Sequence, residues 1–130
     1  MYEKFKTNIL VRDKMIEKMS SDGIRVDYKE LNEQNYINSL REKIIEEANE
    51  VAEENNREKS IYEFADLFEV AQTLAAAVGI TEFEITKAQK EKRQKSGGFK
   101  KGYFTNFVEI DSKNPAIAYY QARPKKYPKI

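Results

Sequence analysis

Between residues 33 and 55, Ile37, Leu40, Ile44, Ala48 and Val51 return every three or four positions, a spacing that gathers them into one apolar stripe on a helix. A polar connector, Glu54-Asn55-Asn56-Arg57-Glu58-Lys59, follows, and Ser60 with Glu63 then forms the S-x-x-E pattern of a capping box. This predicts a second helix running from Ser60 through Leu74 to Val78 and stopping at Gly79, since glycine favours the position just past a helix end. Thr81-Glu82-Phe83-Glu84 repeats the capping pattern and predicts a third helix to about Lys95, where Ser96-Gly97-Gly98 breaks it. The fold class is therefore mainly α, with the first two long helices expected to pack antiparallel across their short connector.

The flanks are less regular. Ile9 to Met19 reads as a short helix ended by Ser20-Ser21-Asp22-Gly23. Ile24, Val26 and Tyr28 alternate, and Tyr103 to Ile110 is rich in aromatic and β-branched residues, which predicts short extended segments near 24–30 and 103–110. Pro115, Pro124 and Pro128 among lysines and tyrosines mark an irregular tail, so the expected organisation is one domain over 1–112 followed by a basic tail over 113–130.

Composition then removes whole classes of chemistry. The chain has no histidine and no cysteine, which excludes Ser-His and Cys-His nucleophiles, thiolate chemistry and histidine- or cysteine-bound zinc. Lysine plus arginine total 23 against 22 acids, a net charge of +1, which argues against nucleic acid or an anionic membrane as a partner and makes any phosphate binding local. The N-terminal residues Met1-Tyr2-Glu3-Lys4-Phe5-Lys6 lack the apolar core of a signal peptide and no run approaches a membrane span, so a cytoplasmic protein is expected.

What remains for chemistry is carboxylate. Glu46-Glu47-Ala48-Asn49-Glu50 lies on the first long helix and Glu63-Phe64-Ala65-Asp66 on the second. Residues three apart on a helix are surface neighbours, so Glu47 with Glu50 and Glu63 with Asp66 each form a two-carboxylate claw. Glu47 and Glu50 sit at the edge of their apolar stripe and read equally as solvated charges. Glu63 falls between Val70 and Leu74 on the helical wheel, inside the apolar face, and no lysine or arginine occurs between Ser60 and Thr86 to neutralise it. Either it caps its helix as the third residue of the capping box, or it binds metal with the other three. An all-oxygen set of four carboxylates suits Mg²⁺, or Mn²⁺, and not zinc.

Glu46-Glu47-x-x-Glu50 followed by Glu63-x-x-Asp66 resembles the E-E-x-x-E and E-x-x-D pattern of the all-alpha nucleotide pyrophosphohydrolase superfamily, which includes MazG and the phosphoribosyl-ATP pyrophosphohydrolases. Asn8-Ile9-Leu10-Val11-Arg12-Asp13-Lys14 is similar to the N-terminal element of a phosphoribosyl-ATP-pyrophosphohydrolase-like branch, and Lys92-Arg93-x-x-x-Gly97-Gly98-Phe99 to its glycine-containing segment. The resemblance implies a helical bundle that dimerises or tetramerises, with Glu47, Glu50, Glu63 and Asp66 as metal ligands. It also implies cleavage of a nucleoside triphosphate between the α and β phosphates, giving a nucleoside monophosphate and pyrophosphate. Glu46 then becomes a candidate for supporting the ligands or positioning the attacking water, with a solvated helix charge as its alternative. Arg12, Lys14, Lys92, Arg93 and Lys100 become candidate phosphate clamps. Phe99 and Tyr103 offer a base-stacking surface or, more simply, core anchors. Asp66 is followed by Leu67-Phe68-Glu69-Val70 where the histidine-pathway enzymes carry tyrosine and histidine, which argues against phosphoribosyl-ATP as substrate. The competing expectation is a non-catalytic helical dimer that binds nucleotide or a protein partner, with the tail from Lys113 to Ile130 as a docking segment.

Overall fold

Two asparagines start the long helices. Asn32 and Asn56 hold extended backbone, and their side-chain oxygens accept hydrogen bonds from the N–H groups of Asn35 (2.9 Å) and Lys59 (3.0 Å), satisfying donors that the first helical turn leaves free. In the structure, a computed structural model describing residues 1–130, these caps open α2 (Glu33–Glu53) and α3 (Arg57–Ala77), which follow α1 (Met15–Ser21) and precede α4 (Glu82–Ser96) and α5 (Ile117–Gln121). α3 thus begins a turn earlier than the Ser60 pattern predicts. Ser60 lies inside the helix, its hydroxyl donating to the Glu54 carbonyl at 3.2 Å, and Glu63 is no capping residue. The Thr81 cap does form: Thr81 Oγ1 accepts from the Glu84 N–H at 3.2 Å while Glu84 Oε1 takes the Thr81 N–H at 3.2 Å. Gly79, at φ 81°, closes α3 as expected, with the Ile80 N–H returning to the Ala75 carbonyl at 2.8 Å.

With only Glu54–Asn56 between them, α2 and α3 fold back on one another as an antiparallel hairpin. The helix expected over 9–19 starts later, at Met15, and residues 9–12 run as irregular chain. No strand forms at 24–30 or 103–110. A strand needs a neighbour for its N–H and C=O groups, and neither stretch finds one, so propensity alone does not make a ladder.

The chain divides into two compact units, Met1–Lys92 and Arg93–Ile130. The first carries fourteen lysines and arginines against twenty acids, the second nine against two, so the balanced total conceals two units of opposite sign. Within the second unit, the stretch read as an irregular tail contains α5, where the rings of Tyr119, Tyr120 and Tyr127 cluster and the Arg123 guanidinium lies 4.0 Å from the centre of the Tyr119 ring. In the first unit the one buried apolar side chain is Leu40, on the α2 face that meets α3. The opposite side of α3 presents Ile61, Phe64 and Phe68 to solvent, at 53%, 48% and 62% exposure. No helix is long and apolar enough to cross a membrane.

Candidate metal centre

An antiparallel hairpin with so short a connector fixes a register. On α2, Tyr36, Leu40, Lys43, Glu47 and Glu50 recur at intervals of three and four and share one face; on α3, Glu63, Asp66, Val70 and Thr73 do the same. The two claws meet: carboxylate oxygens of Glu47, Glu50, Glu63 and Asp66 all lie within 4.8 Å of one another, an arrangement that could hold a metal ion. The hairpin alone therefore assembles the cluster, with no contribution from the rest of the chain.

Two oxygens decide how the cluster reads. Glu47 is 6% exposed, and its Oε2 is buried without a hydrogen-bond partner. Glu63 Oε2 is also buried and unpartnered. Unsatisfied buried carboxylate oxygens are costly, and these belong to one cluster of acids, so they fit a cation rather than solvent. The four-oxygen donor set fits a hard divalent ion such as Mg²⁺. Burial pushes the Glu47 carboxyl above its ordinary value, reinforced by its neighbour Glu50. Glu50 is also held high, first by the neighbouring Glu63 carboxyl and then by burial.

Cations reach the cluster from two places. Arg12, fifty-four residues upstream of Asp66, donates from Nη2 to Asp66 Oδ1 at 2.7 Å. Lys43 lies 3.5 Å from Glu47 Oε1 and 3.3 Å from Glu46 Oε2. Glu46 stands outside the group of four and shares Lys43 with Glu47. Lys43 was legible in the sequence as the residue four before Glu47, though no motif marks it.

Beside the cluster opens a cleft of about 640 Å³, walled by residues 9–15 on one side and by α2 and α3 on the others. Arg12, Lys14, Lys43, Glu47 and Asp66 line it, with Tyr36, Leu40, Val70 and Thr73 farther along. Lys92 is exposed near the end of α4 and does not line the cleft; Arg93 and Lys100 are exposed residues of the second unit. Phe99 and Tyr103 are exposed rather than core anchors, at 101% and 85%.

No protein-family model matches this chain, and neither the curated proteins nor the solved structures contain a significant match to it. The residues themselves carry the functional argument: a helical chain whose central hairpin presents a part-buried carboxylate cluster that could hold a metal ion, beside a cleft lined by Arg12, Lys14 and Lys43.

Proposed function

We propose that this chain is a magnesium-dependent nucleoside triphosphate pyrophosphohydrolase of the MazG-like, all-alpha type, cleaving between the α and β phosphates to release a nucleoside monophosphate and pyrophosphate. Such an activity serves nucleotide house-cleaning or control of nucleotide pools. The observation that carries the reading is the pair of buried, unpartnered oxygens on Glu47 and Glu63 within a four-carboxylate cluster. The ordered motifs around Arg12, Glu47 and Glu63 support it by resemblance.

Glu47, Glu50, Glu63 and Asp66 would hold the ion. Bound there, Mg²⁺ supplies charge neutralisation on the phosphates and makes water a stronger nucleophile. Arg12 and Lys14 line the same cleft and offer donors to the phosphate oxygens. Lys43 balances the charge of Glu47 and pairs with Glu46, which would orient water from outside the ligand set. A carboxylate of the cluster accepts the proton of the attacking water. Lys92, Arg93 and Lys100 rest on the resemblance alone as further phosphate contacts.

A homodimer or higher homo-oligomer belongs to the same proposal. α3 is apolar on both sides, one toward α2 and one carrying Ile61, Phe64 and Phe68, and a helix of that kind is stable when both sides are covered.

Incubation with a panel of nucleoside triphosphates and Mg²⁺ is expected to release pyrophosphate and the monophosphate in equal amounts. Release of inorganic phosphate, or no turnover across the panel, would overturn the assignment; Mg²⁺-independent nucleotide or protein binding without turnover would point to the non-catalytic helical dimer.

A further inference from the structure

The second unit carries a charge of its own. Nine lysines and arginines stand against two acids over Arg93–Ile130, and from Ser112 to Ile130 there is no acid at all. Lys113, Arg123, Lys125, Lys126 and Lys129, the cations of that stretch, are all exposed. The balanced total of the chain argued against a polyanion as partner. With the acids gathered in the first unit, that argument does not hold for the second.

Three tyrosine rings are built into this basic stretch. α5 carries Tyr119 and Tyr120, and the chain leaving it turns again: the Arg123 N–H donates to the Tyr120 carbonyl at 3.0 Å and the Tyr127 N–H to the Arg123 carbonyl at 2.8 Å. That second turn brings Tyr127 back to the helix, its ring centre 5.9 Å from that of Tyr119 and 5.1 Å from that of Tyr120. The cations lie against the rings. The Arg123 guanidinium is 4.0 Å from the centre of the Tyr119 ring, and its Nη1 donates to the Tyr119 carbonyl at 2.8 Å. Lys126 Nζ stands 5.3 Å from the centre of the Tyr127 ring. Tyr119 is 47% exposed, so a planar group can still reach it.

We infer that this tyrosine and cation cluster binds single-stranded nucleic acid, with Tyr119 and Arg123 stacking on bases and Lys125, Lys126 and Lys129 meeting phosphates. Each nucleotide of a single strand presents one flat base and one anionic phosphate, and rings interleaved with cations answer both. A duplex hides its base faces and would use the cations alone. An anionic membrane would also attract the cations, but anchoring in it takes apolar side chains that reach the acyl boundary. The large aliphatic residues between Lys113 and Ile130 are Ile117, half-buried, and Ile130 itself. An acidic peptide would need the cations and leave the rings unused. The carboxylate cluster and its cleft play no part, so the inference stands apart from the proposed hydrolysis.

The test is fluorescence anisotropy of the full chain with labelled oligodeoxythymidylate and oligouridylate of about twelve nucleotides, in buffer free of divalent metal. Binding to at least one of them is expected, weakening as salt rises by about 0.7 in the log–log slope for each phosphate neutralised. Tyr119→Ala is expected to lower affinity by about tenfold, the loss of one stacked base, and Tyr119→Phe to restore it. Replacing Lys125 and Lys126 together by glutamine should flatten the salt slope by about 1.4, and this exposed pair decides the matter if the tyrosine variant does not fold. Four results would overturn the inference: no binding at low salt, equal affinity for a duplex of the same length, affinity unchanged in the folded variants, or capture by phosphatidylserine vesicles with none by the oligonucleotides. The last would assign the cluster to a lipid surface instead.

Discussion

At the scale of single residues, Glu63 and Glu47 are the informative acids, for different reasons. Glu63 interrupts an apolar face in the sequence, and the Asn56 cap removes the alternative that it serves the helix start. Glu47 looks like a solvated charge by its position on the wheel, yet it is the more buried, because the stripe of α2 meets α3 there. Glu63→Gln is expected to abolish turnover and Mg²⁺-dependent stabilisation while preserving the helical circular dichroism; full activity in this variant would remove Glu63 from the ligand set. The carboxyls of Glu47 and Glu50 also set a pH dependence. Both are held above their ordinary values, so between the unfolded value, about 4.3, and the raised folded one, the folded chain binds more protons than the unfolded. Their contribution to metal-free stability is therefore greatest below the unfolded value and is lost as pH rises through the folded one. Urea unfolding at a series of pH values without Mg²⁺ should show this decline, and Mg²⁺ should oppose it at neutral pH, by about 2.7 kcal/mol at a hundredfold excess over its dissociation constant.

At the scale of elements, the caps decided more than the apolar periodicity did. Helix existence was legible from the three- and four-residue spacing, and α2 starts at Glu33, where the pattern placed it. The start of α3 was not, because Asn56 and Ser60 both have the chemistry of a cap and only backbone conformation chooses between them. Asparagine four residues upstream wins, adding a turn of helix and leaving only Glu54–Asn56 between α2 and α3. Asn56→Ala should lower unfolding stability by about 1 kcal/mol, and Ser60→Ala by less, in urea titrations; a larger cost at Ser60 would reverse the assignment of the cap. The two stretches expected to be extended failed for lack of partners, since strand propensity describes a residue's fit to a sheet that must already exist.

At the scale of the whole molecule, net charge proved a poor summary, because a sum of +1 joins an acidic first unit to a basic second one. The hydrophobic side chains tell a related story. Leu40 is the only apolar residue buried, and the outer side of α3 stays open to solvent at Ile61, Phe64 and Phe68, with the Phe64 and Phe68 rings edge to face at 6.4 Å. If a second copy covers that side, sedimentation should show a homo-oligomer, and Phe68→Glu should shift it toward monomer with a loss of thermal stability. A wild-type protein that sediments as a monomer would refute the association.

The sequence by itself determined that the chain is helical, where the long helices lie and which acids share a helix face, because apolar spacing and side-chain neighbourhood three and four apart are properties of one strand of chain. It also marked Glu63 as anomalous. Only tertiary structure decided that Glu47, Glu50, Glu63 and Asp66 meet within 4.8 Å, that Arg12 and Lys43 supply the cations, and that residues 9–15 wall a cleft beside them. Burial and pairing between segments depend on which faces pack, and that is settled by the register of the hairpin, which a helical wheel does not contain.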